Sequence, residues 1–453
     1  MDRLIRCGSM IGDRTLELFY YEFAGLRNKG FRLFCLESHT IGEVIDSVFP
    51  GVRPRSISPS SRRISSRYKG TRVVFRSSSL AMSKIFYMAS WGKVWLPAFL
   101  FFIALSWLMT SIVRLGWMYS AKGLPLSHFV DRYLYWLITG RDHDRLANLV
   151  GIDSAISDST YCVSRSVVDR VDALQQKMRR LSMRVAPTLS TFSKDLESGY
   201  ISDPSRVVTM ILRTSHYLQD PMSTRSVLVE PYLELAIKLK EWGYHPVFAG
   251  SYSDFDRLSI ASKAIHLDEL GLPNGYDEVA LVRDSCLFVC NASGPSALAY
   301  LFGVNTMNVD HPFTISYDWF APRSFYAPKY LYSESLHRYL TPVEIAQLPL
   351  LDHLGDAQLP AFFHSHRIEL HCLTSRHLIE LVFDALEAKF QEPKRRQELV
   401  DVDCSLRKAF VKTINQCSVT EKMMSYFKFM MQGAQGLPAP SYAQSMEIPW
   451  QPK

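Results

Sequence analysis

The most specific chemical pattern in this chain is Cys290 to Phe302 (CNASGPSALAYLF), which begins at the end of a short apolar run. Ser293 is a favourable helix cap, Gly294 permits a tight turn, and the small side chain of Ser296 leaves space above the helix start. A helix that begins directly after a parallel strand directs free amides and its dipole at a ligand, which favours an anion. The pattern predicts an anion-binding turn, although an ordinary capped helix has the same sequence.

Two further loops follow apolar runs in the same way. They are Arg213 to Leu218 (RTSHYL) and Gly250 to Ser253 (GSYS). Parallel strands end at one edge of a sheet, where open α/β sheets bind their ligands. The forked donors of Arg213 suit a phosphate, whereas a surface ion pair is the simpler role for an arginine at a strand end. The other polar residues that we expect in this binding site are Ser215, Ser251 and Asn291.

An acidic residue opens the first predicted helix. Asp13 ends the loop GSMIGD, and Gly12 beside it permits a close approach. A carboxylate at this place caps the helix and is stabilised by the helix dipole. If the loop faces a cleft between domains, Asp13 is also a candidate general base that takes a proton from an attacking hydroxyl.

The elements that must position these residues alternate between strand and helix. In the first forty residues, a strand at Leu4–Cys7, a helix at Thr15–Asn28 and a strand at Phe31–Leu36 predict a parallel pair. After a helix at 163–183, the alternation resumes as a doubly wound α/β domain. Its predicted strands are 206–212, 245–249, 287–290 and 304–309, and its predicted helices are 231–242, 296–302 and 373–390.

Positive charge is concentrated in one part of the chain. Twelve basic residues and no acidic residue lie between Ser47 and Val130, whereas the whole chain has a net charge of +7, so the remainder is net acidic. The block includes a Ser-, Arg- and Pro-rich loop at 50–70. Nucleic-acid binding is disfavoured, because the aromatic residues beside the block belong to an apolar run instead of alternating with the arginines.

That apolar run, 94–113 (VWLPAFLFFIALSWLMTSIV), has no charged residue and is flanked by tryptophans and by Lys93 and Arg114. Its length suits a membrane span, and its flanks suit the headgroup region of a bilayer. A helix lying in one leaflet and a buried core helix are the alternatives.

The remaining patterns in the sequence say less about function. The eight cysteines include no CxxC pair, which favours reduced thiols, and the His residues between His364 and His377 match no metal signature, so we expect no metal site. The Pro-, Gln- and Ser-rich end, 438–453, predicts a flexible tail after a helical extension that begins at 391.

The motifs together resemble a known family. The order RTSHYL, a helix ending in WGY, VFAGS and LFVCNASGPSALAYLFGVNTMNVD resembles a bacterial family of glycosyltransferases that is distantly related to lipopolysaccharide heptosyltransferases. The resemblance covers roughly 207–390, and GSMIGDRTLELF is similar to the N-terminal half of the same family.

The resemblance implies a GT-B fold, in which two Rossmann-like domains face a cleft. The N-terminal, acceptor-side domain would be 1–195 and would contain the apolar, membrane-associating segment; the nucleotide-sugar donor domain would be 196–390. Ser293, Gly294 and Ser296 would contact the donor phosphates, with Arg213 and Gly250 nearby. Asp13 matches the base of heptosyltransferase-like relatives.

The implied reaction is inverting, metal-independent transfer of a sugar from a nucleotide-sugar to a cell-surface polysaccharide or lipid-linked acceptor, with no further cofactor. A full span within the N-terminal domain would divide its sheet between two sides of the membrane. We therefore favour peripheral or monotopic attachment to anionic lipid at the cytoplasmic face of the inner membrane. The alternative is a catalytically degenerate binding protein, because Thr214 stands where the family usually has Asp.

Overall fold

The structure is a computed structural model, and it describes residues 3–6, 31–34, 165–183, 201–214, 224–250, 252–267, 276–291, 296–311, 324–348, 355–387, 393–416 and 436–453. The chain divides into two compact units. The first unit contains 1–10 and 20–151, and the second contains 11–19 and 152–453. The functional domain boundaries expected at 195 and 390 stay predictions.

In the first unit, the structure describes a pair of strands. β1 (Arg3–Arg6) and β2 (Phe31–Phe34) are parallel, in a register that pairs Arg3 with Phe31 and Arg6 with Phe34. This confirms the predicted strands and their direction.

The second unit is built on a seven-stranded sheet in the order β12-β8-β7-β6-β3-β4-β5, and every pairing in it is parallel. Its strands are β3 (Val207–Ile211), β4 (His245–Ala249), β5 (Ile265–His266), β6 (Leu287–Cys290), β7 (Thr306–His311), β8 (Ser324–Pro328) and β12 (Leu437–Pro438). The described α-helices between residues 165 and 302 are α1 (Arg165–Ser182), α2 (Glu230–Glu241), α3 (Asp254–Ala261), α4 (Tyr276–Asp284) and α5 (Ser296–Phe302). The α/β class and its mostly parallel sheet are therefore confirmed.

The central strands form where apolar runs are covered on both faces. Every residue of β3, β6 and β7 is buried, as expected for strands inside a parallel sheet. α2 packs on this sheet through Tyr232, Leu235, Ala236 and Leu239, and Pro231 fits its first turn. α1 packs on α5, where the Gln175 side chain donates to the Tyr300 carbonyl at 2.6 Å. α1 therefore belongs to the second unit.

A small antiparallel sheet, β10-β9-β11, follows the parallel one. It consists of β9 (Tyr330–Ser333), β10 (Arg338–Tyr339) and β11 (Ile368–His371), with α6 (Pro342–Ala346) and α7 (Gly355–Ser365) between the last two strands. Thr341 and Glu344 form a capping box that begins α6. The remaining described helices are α8 (Ser375–Leu386), α9 (Pro393–Gln416) and α10 (Pro440–Gln444).

The C-terminal segment differs from its predicted flexible tail. β12 adds to the parallel sheet beside β8, and the backbone N–H of Ala439 donates to the Tyr326 carbonyl at 2.8 Å. Trp450 is only 1% exposed. Proline and serine suggested a loop, but one buried tryptophan and a strand pairing fix the segment on the domain.

The expectation of reduced thiols is wrong for one of the four cysteines that the structure describes. Cys286, Cys290 and Cys372 are free, whereas Cys404 on α9 is disulfide-bonded. Its partner lies outside the described residues. Disulfide pairing depends on which cysteines the fold brings together, so the absence of a CxxC pair could not exclude it.

The basic loop 50–70 and the apolar segment 94–113 lie outside the described residues. Among the helices that the structure does describe, none has both the length and the apolar character of a membrane span.

Candidate functional site

One buried side chain joins the carboxyl ends of the central strands. Asn291, directly after β6, accepts a hydrogen bond from the Arg213 backbone N–H at 2.7 Å. Its amide nitrogen donates to the Arg213 carbonyl at 3.3 Å and to the Arg225 carbonyl at 2.7 Å. Asn291 therefore fixes the end of β3 against the segment 224–227.

The same segment is held from two other directions. The Val227 N–H donates to the Arg213 carbonyl at 3.0 Å, and Val227 forms a parallel bridge with Thr214. Lys329, the residue after β8, donates from Nζ to the Ser226 carbonyl at 2.6 Å. Residues from distant parts of the chain thus meet at one sheet edge.

We call this group the polar cluster. Its members are Arg213, Thr214, Arg225, Ser226, Asn291, His311 and Lys329. Arg213 is 8% exposed and Lys329 is 4% exposed. Burying a cation is costly unless an anion or hydrogen-bond acceptors compensate the charge. Within the part of the chain that the structure describes, no carboxylate oxygen lies within 4 Å of the Lys329 ammonium, whose hydrogen bonds go to Ser226 and Cys372.

The effect of these cations is visible at His311, at the end of β7. Burial, together with the positive charges of Arg225 and Lys329, lowers the pKa of His311 to about 3. Its imidazole is therefore neutral near pH 7. A further positive charge is therefore disfavoured at this position.

Asp310 lies beside His311 at the end of β7 and is hydrogen-bonded to two other segments of the chain. It is fully buried, and its carboxylate accepts hydrogen bonds from the Tyr232 hydroxyl at 2.6 Å and the Leu373 N–H at 2.7 Å. Burial raises the pKa of Asp310, and the charge of Lys329 opposes that rise. Its φ of 55° lies at a register shift in β7, a backbone state that Asp tolerates better than most residues. Asp310 thus ties the end of β7 to α2 and to the start of α8.

Gly250 ends β4 at the same edge. Its φ is +116°, whereas the nearest atom to an added Cβ would be Ile211 Cγ2 at 3.7 Å. The backbone conformation, and not a lack of space, favours glycine here. The adjacent Tyr252 hydroxyl donates to the Ala249 carbonyl at 2.9 Å and accepts from the Leu212 N–H at 3.3 Å, which closes the ends of β3 and β4.

Comparisons with known proteins add structural neighbours. No protein-family model and no curated protein matches this sequence. Two of the solved structures similar to it are glycosyltransferases. One is a glycosyl transferase family 9 protein from Veillonella parvula, at 11% identity and a TM-score of 0.37, covering 85% of this chain and 98% of the other. The second is the ADP-heptose lipopolysaccharide heptosyltransferase II of E. coli, at 11% identity and a TM-score of 0.35, covering 81% and 98%.

A third similar structure is a Listeria monocytogenes protein described as a candidate UDP-N-acetylglucosamine 2-epimerase, at 11% identity and a TM-score of 0.31, covering 98% of this chain and 94% of the other. Similarities of this size do not determine a reaction.

Four of the predicted site residues lie in the described part of the chain. Arg213, Gly250 and Asn291 lie at the carboxyl ends of β3, β4 and β6, as expected. The Asn291 side chain, however, bonds to backbone groups and so organises the site. Ser296 is the first residue of α5, a helix of seven residues. The other predicted site residues lie outside the described residues, and their roles stay predictions: Asp13, Ser215, Ser251, Ser293 and Gly294.

Sequence reasoning missed four members of the cluster: Arg225, Ser226, His311 and Lys329. His311 comes two residues after the predicted strand 304–309, so extending the edge rule to that strand would have found it. Arg225 and Lys329 gave no such signal, because neither follows a predicted strand. Among the described residues, no three His, Cys, Asp or Glu side chains are grouped so that they could hold a metal ion.

Proposed function

We propose that this chain is a glycosyltransferase that binds the phosphates of a nucleotide-sugar at the polar cluster. The observation that carries the proposal is the position of Arg225 and Lys329 beside the buried His311, at the carboxyl edge of the parallel sheet where the Arg213 backbone is also held. Guanidinium and ammonium groups in a poorly hydrated site bind phosphate oxygens strongly. The resemblance of the surrounding motifs to a glycosyltransferase family supports the same ligand class.

In the proposed reaction, the acceptor hydroxyl oxygen attacks the anomeric carbon of the donor sugar. The bond from that carbon to the phosphate oxygen breaks, and the nucleoside diphosphate leaves with the electron pair. Asp13 takes the hydroxyl proton, a role that rests on its match to heptosyltransferase-like relatives. The cations of the polar cluster stabilise the charge that grows on the diphosphate, so the proposed mechanism needs no metal ion. Attack from the side opposite the leaving group inverts the anomeric configuration.

The proposed acceptor is a cell-surface polysaccharide or a lipid-linked glycan. The support is the basic block between Ser47 and Val130 together with the apolar segment 94–113. Such a pair of features favours peripheral or monotopic attachment to anionic lipid at the cytoplasmic face of the inner membrane. Vesicles with and without anionic lipid test this. We expect salt-sensitive binding to the anionic vesicles and no comparable binding to oligonucleotides.

The direct test of the proposed reaction is release of nucleoside diphosphate from UDP-, GDP- and ADP-sugars, and of CMP from CMP-sugars, by detergent-solubilised protein. We expect turnover with one nucleotide class, and loss of that turnover in Asp13→Ala and in Arg213→Ala. Arg376→Ala is the matched control, since Arg376 is an exposed arginine on α8. Thermal unfolding of each variant checks that it is folded.

Binding of a nucleotide without any turnover would contradict the enzymatic proposal and favour the degenerate binding protein. Absence of both binding and turnover in folded protein would remove the ligand class as well.

A further inference from the structure

The second unit contains an open cavity of about 600 Å³ next to the polar cluster. It lies where α7, β11 and the turn after β9 meet the segment 224–227. The described residues that line it on the α7 and β11 side include Phe363, Arg367, Glu369 and Leu370, and Glu334 and Thr224 line it from the other segments.

The lining combines an apolar floor with a rim of both charges. Phe363 is buried and Leu370 is half-buried, whereas Glu334, His364 and Arg367 are exposed. The rim carries the carboxylates of Glu334 and Glu369 and the guanidinium of Arg367, so the cavity itself disfavours a phosphate, while its carboxylates can accept hydrogen bonds from hydroxyl groups. Apolar floors with a few polar groups of both kinds bind neutral ligands that combine C–H faces with hydroxyl groups.

Thr224 connects the cavity to the polar cluster. Its side chain is 7% exposed, and its buried hydroxyl has no hydrogen-bond partner among the described residues. A buried hydroxyl without a partner costs about 1–3 kcal/mol, so such groups deserve an explanation. Thr224 is followed directly by Arg225 and Ser226. Because consecutive Cα atoms are about 3.8 Å apart, the cavity and the cluster are separated by less than the length of a diphosphate-linked sugar.

We propose that this cavity binds a neutral sugar unit, with the Thr224 hydroxyl, Glu334 and Arg367 hydrogen-bonded to sugar hydroxyls. The inference rests on the proposed function, and it adds the site of the glycosyl group. Two sources have this chemistry: the sugar of the donor, whose phosphates bind at the polar cluster, and a unit of the acceptor glycan.

The first experiment is equilibrium binding, by calorimetry, of a nucleotide-sugar and of its parent nucleoside diphosphate. The variants are Glu334→Gln and Arg367→Asn. Arg367 has a φ of 51°, and asparagine tolerates that backbone state, so this change removes the charge with little strain. For a donor sugar in the cavity, we expect each variant to bind the nucleotide-sugar about five- to tenfold more weakly and the nucleoside diphosphate unchanged. Arg376→Ala and Glu398→Gln, which change residues outside the cavity, are the controls.

The second experiment uses Thr224→Val, which keeps the side-chain shape and removes the hydroxyl. Since that hydroxyl makes no bond in the free protein, we expect the thermal midpoint without ligand to be unchanged or raised. The affinity for the sugar should still fall. A structural role for the hydroxyl would instead lower the midpoint, and that result would overturn the proposal.

A third arm separates the two sources. It measures binding of neutral oligosaccharides, namely maltotetraose, mannotetraose and chitotetraose, to the wild-type protein and to the same variants. Oligosaccharide binding that the variants lose supports the acceptor as the source. If nucleoside diphosphate binds but neither sugar class responds to the variants, the inference is overturned and the proposed function stands. If no nucleotide binds, the proposed function fails, and the oligosaccharide arm alone decides the inference.

Discussion

The polar cluster and the group of residues that holds the C-terminal segment are both largely buried, and each contains a histidine, but their surroundings differ. We call the second group the tail clamp: Tyr330, His377, Ser441 and Trp450. The His377 ring nitrogens lie 2.7 Å from the Tyr330 hydroxyl and 3.2 Å from the Ser441 hydroxyl. The centres of the Trp450 and His377 rings are 4.3 Å apart, and the Trp450 indole N–H donates to the Pro328 carbonyl at 3.1 Å. At His311, by contrast, the positive charges of Arg225 and Lys329 disfavour protonation of the ring.

Because their surroundings differ, we expect the tail clamp to act in stability and the polar cluster to act in ligand binding. In the tail clamp, each polar group of the histidine and the tryptophan has a partner within the protein, so the group stabilises the fold as it stands. In the polar cluster, the positive charges of Arg225 and Lys329 act on the buried His311, and the buried hydroxyls of Thr214 and Ser226 have no hydrogen-bond partner among the described residues. The proposed function assigns this region to an anionic ligand. We therefore expect changes in the tail clamp to alter the free energy of unfolding and changes in the polar cluster to alter ligand affinity.

The largest effect is expected from Trp450→Ala. Removing a buried tryptophan leaves a cavity, and such changes cost about 3–5 kcal/mol. Denaturant unfolding should show this loss, while the folded fraction should keep its nucleotide affinity. Trp450→Phe is the matched control, because it retains part of the ring packing while it removes the bond to Pro328. An equal loss of affinity and stability would mean that the two regions are not separable.

The second prediction concerns acid. Burial and the nearby charge of Lys453 lower the pKa of His377 to about 4, and Glu380 opposes that shift. Below pH 6.5 the unfolded chain takes up a proton that folded His377 does not, so stability falls as the pH falls from about 6.5 towards 4. The loss between pH 6.5 and 5 should be about 2 kcal/mol from this residue.

Unfolding of the wild type and of His377→Gln at a series of pH values measures that slope. We expect a shallower dependence in the variant. A slope unchanged by His377→Gln would show that the tail clamp does not hold a neutral histidine.

The third prediction concerns the edge of the polar cluster. Gly250→Ala should destabilise the protein by about 1–2 kcal/mol, since alanine rarely adopts a positive φ. The space around the site does not forbid the methyl group, as the nearest side-chain atom would be 3.7 Å away. Denaturant unfolding gives the value. A change near zero would mean that the turn adopts another backbone conformation.

The smallest expected effect compares the two histidines most directly. A bound phosphate should offset the charges of Arg225 and Lys329 and so raise the pKa of His311 from about 3. Nucleotide binding near pH 5 should then take up a fraction of a proton, and the affinity should rise about two- to threefold between pH 7 and 5. Calorimetry in two buffers of different ionisation enthalpy measures the uptake.

His311→Gln should abolish this uptake, whereas His377→Gln should leave it unchanged. Loss of the uptake in His377→Gln instead would place the ligand nearer to the tail clamp.

Much of the fold was predictable because burial and local geometry leave clear patterns. The runs HPVFA and LFVC form β4 and β6 at the predicted residues, and the helix at Ser296–Phe302 also agrees. Strands inside a parallel sheet are continuously apolar, and helices between them carry one apolar face. These features are local, so they can be identified without knowledge of the three-dimensional structure.

The polar cluster was only partly predictable, because it depends on contacts between distant residues. Asn291 bonds to the Arg225 carbonyl across 66 positions, and Lys329 bonds to the Ser226 carbonyl across 103. No local pattern encodes such distances. The prediction for the C-terminal segment was wrong for the same reason. Its composition suggests a loop, whereas burial of Trp450 and the pairing of Leu437 with Phe325 fix it on the domain.

The most direct test of the central claim is the affinity of nucleoside diphosphates for the wild-type protein and for Arg225→Gln, measured by calorimetry with UDP, GDP and ADP. Arg376→Gln, on the exposed face of α8, is the control. The polar cluster predicts that one of these ligands binds and that Arg225→Gln weakens it at least about tenfold, while the control binds as the wild type does. Equal affinity in wild type and Arg225→Gln, with both proteins folded, would contradict the assignment of the phosphate site to this cluster.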